Sequence, residues 1–403
     1  MNIFYNHFTP SFGFMLACLR QFFNGNKDVL AYADYLTQAD WDKFVQLVSW
    51  HKLTPIIYPI LKQQSSIPET VLSKIRLHYH ANAERMMVLT AELFRITKIF
   101  NHANIFNITL KGPLIAKRLY DNFVMRESRD IDILISLDNL LCAHTLLLES
   151  GYQRIYPEVL TAKQYHAYVR YKNDFVYYQP TRHIILELHW RFFDHPLLFN
   201  LPVDALINHH RTQIVSGVLV RTLADQDEFL YLLAHGSTSC WFRLFWLCDV
   251  MQWIKRYPIV HWVERLAYAK QLGVQRMLME TYLMMHYLFE HPLPHCIETM
   301  ISQNKAVFSL FQSSLAVLRF SSHPFSSPGK MFMRHIMLHD AWQNRFHFIK
   351  HRFSMSPSDW KSFHMPDALF FLYAILRPFT GCLRMIKRFV LGWWQRFWCR
   401  KKS

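Results

Sequence analysis

The feature that most constrains the fold is a change of periodicity near residue 105. The segment IFNITL (105–110) is short, rich in β-forming residues and bounded by turn signals, so it predicts a strand that runs into Lys111-Gly112-Pro113. LIAKRLY then predicts a helix, with Pro113 in the first turn, where proline is tolerated. DIDILIS (130–136) predicts a second strand by its alternation. Strand, tight turn, helix and strand in this order indicate a small sheet core.

The following residues extend this core. Residues 137–150 have a helical pattern that stops at Gly151, a C-cap residue. NDFVYYQ (173–179) and HIILELHW (183–190) are typical of two antiparallel strands, with 180–182 as the turn.

Helical patterns flank the core on both sides. Apolar residues recur at helical spacing over 41–61, where Thr54-Pro55 breaks the pattern, and over 68–101. The pattern returns after Leu223 and loosens at 321–330. We therefore predict an α+β fold, a small mixed-sheet core flanked by helical domains. The predicted domains are an N-terminal helical region (1–100), the core (101–220), a C-terminal helical domain (221–365) and a basic aromatic tail (366–403).

The charge balance narrows the class of partner. The chain has 403 residues, with 45 Lys and Arg against 29 Asp and Glu, a formal net charge of +16. This excess favours a polyanionic partner: nucleic acid, nucleotide phosphates or an anionic membrane. A hydrophobic fraction of 51% excludes a disordered chain.

The cysteines and histidines do not predict a zinc site. The seven cysteines are scattered without a CxxC pair, and the histidine pairs lack thiolate or acidic partners at zinc spacing. The N-terminus lacks the basic region and cleavage site of a signal peptide, and no uninterrupted apolar run is long enough to span a bilayer. We expect a cytoplasmic protein, peripheral at the membrane.

The membrane expectation comes from the tail. Residues 350–403 hold eleven Lys and Arg and two acids. Arg384, Arg388 and Arg396 fall near one helical face, and Phe389, Trp393 and their apolar neighbours occupy the other, as in an interfacial helix. The pattern predicts contact of 377–403 with an anionic membrane, while contact with RNA or with its own domain stays open.

Acidic residues on the predicted strands point to chemistry. Asp130 and Asp132 are two apart, so they project from one face of a strand. Two carboxylates about 4 Å apart repel by roughly 4 kcal/mol at an effective dielectric of about 20, so the pair needs a cation. Mg²⁺ or Mn²⁺ is the natural choice. Glu187 offers a third carboxylate for the metal, and His189 shares its face as a substrate, metal or packing residue.

Basic residues surround this acidic pair in the sequence. Lys111 and Gly112 lie where a strand turns into a helix, a place that attracts phosphate. The alternative for Lys111 is a salt bridge to the acidic cluster. Arg126 and Arg129 precede the pair and would neutralise a leaving pyrophosphate.

Together these motifs resemble the bacterial nucleotidyltransferase-fold family with an LKG…R…DIDLLV…LHW pattern, within the DNA polymerase β-like superfamily. WDKFVQLVSWHKLTPIIYPIL resembles the family's helix-to-proline segment, and LELHWRF its LHW strand. The resemblance implies Asp130 and Asp132 as metal ligands, Glu187 as the third carboxylate, and Lys111-Gly112 as the nucleotide-binding turn. Arg126 matches the arginine four residues before the first aspartate. The wider superfamily has Gly-Ser at the turn, where this chain has Lys-Gly.

The resemblance implies transfer of a nucleoside monophosphate from an NTP such as ATP to an acceptor hydroxyl on protein, sugar, small molecule or RNA. Two alternatives remain: a phosphotransferase that uses the same carboxylates, and a non-catalytic adaptor for RNA or membrane. In the second helical domain, His235 either covers the nucleotide or, with Trp241, Arg243 and Asp249, holds that domain against the core.

Overall fold

The computed structural model describes residues 8–25, 33–319, 328–353, 359–360, 365–373, 375–377 and 379–380. Helices precede the sheet: α1 (Pro10–Asn24), α2 (Gln38–Trp50), α3 (Thr54–Leu61) and α4 (Glu69–His102). The core elements are β1 (Asn107–Thr109), α5 (Pro113–Tyr120), β2 (Asp130–Ile135), α6 (Leu140–Glu149), β3 (Gln153–Tyr156), α7 (Ala162–Tyr171), β4 (Asp174–Gln179) and β5 (Ile184–His189).

A hairpin and a second set of helices follow. The hairpin strands are β6 (His210–Val215) and β7 (Val218–Leu223). The helices are α8 (Asp225–Thr238), α9 (Leu244–Arg256), α10 (Trp262–Gln271), α11 (Gln275–Phe289), α12 (His295–Ser302), α13 (Lys305–Arg319), α14 (Pro328–Leu338) and α15 (Trp342–Arg352). The architecture is the predicted α+β fold, with a small mixed sheet and helical flanks.

Five strands form the central sheet, in the order β1-β2-β5-β4-β3. β2 and β5 run parallel, and the other neighbouring pairs run antiparallel. Between β2 and β5 the chain forms α6, β3, α7 and β4. Two strands that are distant in sequence thus become direct neighbours at the centre of the sheet.

The two faces of the sheet differ in chemistry. Ile131, Ile133 and Ile135 of β2 are buried in an apolar cluster with residues of α4, α6 and α7. Because side chains alternate along a strand, Asp130 and Asp132 project from the opposite face. That face lies on the side of the second large cluster, which the helical flanks build.

The N-terminal and C-terminal helices share one core. The cluster that contains α1 side chains such as Phe14 also contains α11 side chains such as Met285. Two polar contacts join the same helices, because Arg20 Nε donates to the Leu288 carbonyl (2.9 Å) and Asn24 Nδ2 to that of Phe289 (2.8 Å). The helices that flank the sheet therefore pack as one body.

Local structure agrees with most of the predicted elements. α2 ends at Trp50 and α3 begins at Thr54, where the break was expected, and α4 covers the predicted long helix. β3, α7 and the β6–β7 hairpin were not predicted. The domain boundaries stay predictions, and most of the tail (381–403) and residues 321–327 lie outside the described residues. In the described part of the chain, no helix combines the length and apolarity needed to cross a membrane.

Gly236 offers a test of the packing between α8 and its C-terminal turn. A Cβ at this position would overlap the ring of Trp241, which is fully buried. We expect Gly236→Ala to lower the free energy of unfolding by about 1–3 kcal/mol, because a large buried ring must shift. Gly329 in α14 has open space around it, so Gly329→Ala should be neutral or stabilising by up to about 1 kcal/mol. Urea denaturation measures both variants, and equal stabilities would contradict this packing.

Candidate functional site

The parallel pairing of β2 with β5 brings the predicted acidic residues together. Asp132 lies opposite Glu187 in the register, and Leu134 lies opposite His189. Paired residues of neighbouring strands project to the same face, so Asp130, Asp132, Glu187 and His189 share one side of the sheet. The predicted third carboxylate is therefore a direct neighbour of the second aspartate.

Ligand atoms of three residues lie within 4.8 Å of one another: Asp132, Glu187 and His189. His189 Nε2 is 3.3 Å from Asp132 Oδ1 and 3.4 Å from Glu187 Oε2. Asp132 and His189 are buried, whereas the Glu187 side chain is 31% exposed. Asp130 shares the face but lies outside this cluster, so the described cluster contains an imidazole in place of the expected first aspartate.

A second layer fixes the orientation of the histidine ring. With the Asn173 amide turned so that its oxygen faces the ring, His189 Nδ1 donates to that oxygen at 3.2 Å. The Asn173 nitrogen then donates to Asp174 Oδ1 (2.9 Å) and Asp194 Oδ1 (2.7 Å). Because Nδ1 holds its proton for Asn173, Nε2 is the nitrogen directed at the carboxylates, as in many metal-binding histidines.

Lys111 and His189 both neutralise Asp132. Lys111 Nζ lies 3.2 Å from Asp132 Oδ1, the oxygen that His189 also approaches. Burial alone would raise the pKa of Asp132, but Lys111 and His189 hold it well below the usual range. Burial opposes protonation of His189, yet its bonds to Asp132 and Glu187 raise its pKa to about 10. Lys111 therefore forms a salt bridge with Asp132 in this structure, which was the alternative expected from the sequence.

Asp130 has the opposite electrostatics. Burial, with repulsion from Asp132 as the next cause, raises the pKa of Asp130 to about 6. The two aspartates, two residues apart, therefore differ in the pH at which they take up a proton: Asp132 stays ionised, whereas Asp130 is protonated as the pH falls through about 6. Separated pKa values of this kind are typical of sites that combine electrostatic and proton-transfer roles.

The predicted strand-to-helix turn is present, with Gly112 immediately before α5. Its backbone angles (φ 78°, ψ −140°) lie in a region that only glycine adopts readily. Pro113 opens the helix, as the sequence predicted, and Lys111 thereby reaches the carboxylates. Tyr231 of α8 is buried and also interacts with Lys111. Burial raises the pKa of Tyr231 to about 12.

Arg126 does not face the acidic cluster as a free cation. It is buried, its Nε donates to Asp249 Oδ2 (2.8 Å), and its Nη1 donates to Ser128 Oγ (2.6 Å). Tyr120 donates to the other Asp249 oxygen at 3.1 Å. These bonds tie the loop before β2 to α9, so Arg126 and Asp249 hold the loop. This arrangement matches the proposal that Asp249 fastens the helical domain to the core.

Arg129, in contrast, is exposed, and within the described residues no ion-pair partner lies within 4.0 Å of its side chain.

His235 is close to Lys111: burial, followed by repulsion from Lys111, lowers its pKa well below the usual value. Its ring contacts Trp246 edge-on at 4.9 Å. His235 is therefore a neutral imidazole beside the site.

The structure adds Lys52, which the sequence did not single out, and brings Arg243, already noted in the second helical domain, near Arg129. Lys52 follows α2 in a left-handed conformation (φ 56°), and burial lowers its pKa to about 8 although Asp130 opposes this effect. Arg243 precedes α9 and stacks 4.1 Å from the Trp50 ring. Burial, followed by repulsion from Arg129, lowers the pKa of Arg243. We call Lys52, Arg129 and Arg243 the cationic rim. No local pattern marks Lys52, because its place beside the site depends on how distant helices pack.

A cavity of about 430 Å³ lies beyond the C-terminal ends of β2 and β5, with Leu137, Arg191 and Phe199 in its wall. None of Asp130, Asp132, Glu187 or Lys111 lines it. The cavity is therefore separate from the acidic cluster.

The donor set fits a divalent metal. Two carboxylates and an imidazole with ligand atoms this close can hold a divalent metal ion. Binding requires His189 to give up a proton if it becomes a ligand, and Lys111 to leave Asp132. In this structure Lys111 and the protonated His189 neutralise the carboxylates, and a metal ion could take their place.

The Arg126–Asp249 pair generates a stability prediction. Arg126→Gln should lower the free energy of unfolding by about 3–5 kcal/mol, because it leaves Asp249 buried without its cation. Arg126→Gln combined with Asp249→Asn should recover part of this loss, as urea denaturation of the four proteins in a double-mutant cycle would show. Normal stability with lost nucleotide binding would instead make Arg126 a ligand-contacting residue.

Comparison with known proteins bears on the family of the chain. No curated protein matches the chain. Among solved structures, an antigenic nucleotidyltransferase-like protein from Paracoccidioides brasiliensis is similar over 56% of this chain and 92% of that chain, at 13% identity and a TM-score of 0.31, and we base no argument on it. Residues 37–290, more than half of the chain, match a family described as uncharacterised nucleotidyltransferase. The chain therefore belongs to this family of uncharacterised nucleotidyltransferases.

Proposed function

We propose that the protein is a metal-dependent nucleotidyltransferase that transfers a nucleoside monophosphate from an NTP, with ATP among the candidates, to an acceptor hydroxyl. The observation that carries the proposal is the parallel β2–β5 register, which sets Asp132 beside Glu187 with His189 on the same face. Family membership supports the reaction class. The acceptor hydroxyl belongs to a protein, a sugar, a small molecule or an RNA.

Asp132 and Glu187, with Asp130 or His189, would hold Mg²⁺ or Mn²⁺. A bound ion would supply positive charge to the phosphates and to the leaving pyrophosphate. Lys111 adds a fixed positive charge at the same place, because Asp132 outweighs the effect of burial and raises its pKa. The turn at Gly112 places this ammonium at the beginning of a helix, where the dipole also favours phosphate.

The cationic rim gives the phosphate tail a second set of contacts. Lys52 and Arg243 come from the helical flanks, and Arg129 comes from the residue before β2. Lys52 Nζ and the Arg126 guanidinium both lie over the Phe245 ring, at 5.2 Å and 4.9 Å from its centroid. We assign the rim to the β- and γ-phosphates, whose charge is carried away as pyrophosphate.

Asp130 is the candidate general base. Its pKa, raised to about 6 mainly by burial, leaves it ionised at neutral pH but able to take a proton. The acceptor oxygen forms a bond to the α-phosphorus, while the bond between the α-phosphorus and the oxygen that bridges the α- and β-phosphates breaks. Pyrophosphate leaves with that electron pair, and the hydroxyl proton moves to Asp130.

The central prediction concerns nucleotide binding. Calorimetric titration of the four NTPs with Mg²⁺ should show metal-dependent binding of at least one nucleotide. Asp130→Asn combined with Asp132→Asn should reduce the affinity by at least about 100-fold, since the carboxylates hold the ion that neutralises the phosphates. Glu187→Gln is a second variant on a more exposed residue, chosen in case the buried pair fails to fold.

The matched control is Asp138→Asn, which removes an exposed carboxylate six residues from Asp132. It should bind the nucleotide as the unchanged protein does. Binding that survives loss of the strand carboxylates, or the absence of any NTP binding by folded protein, would contradict the proposal and favour the adaptor function. Transfer of a phosphate alone to the acceptor would identify a phosphotransferase.

Metal binding should also release protons. His189, with a pKa of about 10 in the metal-free protein, is protonated at pH 7.5 and must lose about one proton to become a ligand. Mn²⁺ affinity should therefore rise with pH by up to about tenfold per unit between pH 7 and 9. Titrations in two buffers with different ionisation heats count the released protons. A count near zero would indicate that only carboxylates hold the ion, and His189→Asn should give that result.

A further inference from the structure

The C-terminal part of the described chain exposes a row of large apolar side chains. Residues 372–373, 375–377 and 379–380 are helical, and Phe371, Ile375 and Phe379 are 59%, 58% and 66% exposed. Residues four apart lie on one side of a helix, so the three side chains form one row.

The other side of this segment is already packed. Phe370 and Tyr373 are buried in the apolar cluster of the sheet, next to Trp360. Arg377 Nη1 donates to Asp359 Oδ2 (2.7 Å), and Thr380 Oγ1 donates to Asp359 Oδ1 (2.8 Å). Because the packed side anchors the segment to the core, the exposed row is an additional apolar face.

α15 presents a second row of the same kind. Trp342, Phe346 and Phe353, which directly follows the helix, are 70%, 60% and 51% exposed, and their spacing places them on one side. Lys350 and Arg352 are also exposed, and the sequence of α15 contains no acidic residue. Aromatic side chains flanked by cations are typical of helices that lie in a membrane interface.

The two segments that carry these rows contact opposite ends of α7. Thr161, the residue before α7, donates to Asp367 Oδ1 at 2.7 Å. At the other end of the helix, the rings of Tyr171 and His351 lie 5.8 Å apart. We name Trp342, Phe346, Phe353, Phe371, Ile375 and Phe379 the C-terminal apolar surface.

The charge of this part of the sequence indicates what kind of partner covers the surface. Residues 350–403 hold eleven Lys and Arg and only two acids, Asp359 and Asp367. Asp359 is bound by Arg377, and Asp367 by Thr161. Most of the positive charge is therefore without an acidic counterpart in this part of the sequence. An anionic bilayer complements exposed aromatic rows and excess cations at the same time, because its surface attracts basic segments while its headgroup region accepts apolar side chains.

We propose that the C-terminal apolar surface docks the protein onto an anionic bilayer. The aromatic and aliphatic side chains enter the headgroup region, and the basic residues contact the lipid phosphates. The docking is peripheral, and it is independent of the nucleotidyltransferase chemistry proposed above.

Vesicle flotation of the full chain tests this proposal. The vesicles contain phosphatidylcholine alone or with about one-third phosphatidylglycerol. The unchanged protein should float with the anionic vesicles and much less with the neutral ones. Raising the ionic strength to about 1 M should weaken the binding, because the charges are then screened beyond roughly 3 Å.

A triple variant separates the apolar surface from charge alone. Phe371→Ser, Ile375→Ser and Phe379→Ser together should lower partitioning to anionic vesicles by at least about tenfold. The matched control replaces three exposed apolar residues of α4, as Leu77→Ser, Met87→Ser and Val88→Ser, and should bind as the unchanged protein does. Circular dichroism confirms that both variants are folded.

Three results would overturn the proposal. The first is absence of binding to anionic vesicles, and the second is equal binding by the two triple variants. The third is salt-sensitive binding to poly(U) RNA without binding to vesicles, which would assign the basic region to nucleic acid. A dimer that dissociates in the triple variant, with no vesicle binding, would assign the surface to a second copy of the chain.

Discussion

The site depends on one buried carboxylate, Asp132, which is shared by Lys111 and His189. Lys111 arrives from the turn after β1, and His189 arrives from β5, so three chain segments meet at one oxygen atom. An ionised carboxylate buried this deeply is costly unless cations and hydrogen bonds compensate it. The compensation keeps Asp132 ionised and also holds an extra proton on His189. A divalent metal ion carries the same charge as the Lys111 ammonium and the His189 imidazolium together, so it could replace them with little change in net charge.

The helical flanks take part in this site because they carry its other cations and its supports. Lys52 comes from the turn after α2, and Tyr231 and Asp249 come from α8 and α9. Glu127 bonds Thr54 at the start of α3, and Arg126 bonds Asp249. The loop that leads into β2 is thus fastened on both sides by helices. Correct placement of the carboxylates requires both flanks, which share one core.

Local patterns in the sequence were sufficient for much of the fold and for the acidic residues. The alternation of DIDILI placed Asp130 and Asp132 on one strand face, and LELH did the same for Glu187 and His189. No local signal shows that the two strands are parallel neighbours in a register pairing Asp132 with Glu187, because 48 residues (136–183), which form other elements, separate β2 from β5. The family resemblance implied that Glu187 joins the two aspartates, and the strand register shows it beside Asp132.

The missed features have physical reasons as well. β3 is a short strand with mostly exposed residues, so it lacks alternation of burial. The β6–β7 hairpin did carry a signal: Ser216-Gly217, both with positive φ, separates two runs of β-forming residues. The bond between Arg126 and Asp249 was also not predicted, because the two residues are 123 positions apart and no sequence pattern links them. Lys52 escaped notice for the same reason.

A crystal structure with Mn²⁺ and a non-hydrolysable NTP analogue tests the central claim most directly. The account predicts an anomalous manganese peak at about 2.1–2.3 Å from carboxylate oxygens of Asp132 and Glu187. It also predicts phosphate density facing Lys111 and the cationic rim. Manganese bound elsewhere, or a nucleotide bound away from β2 and β5 with Lys111 still on Asp132, would contradict the account.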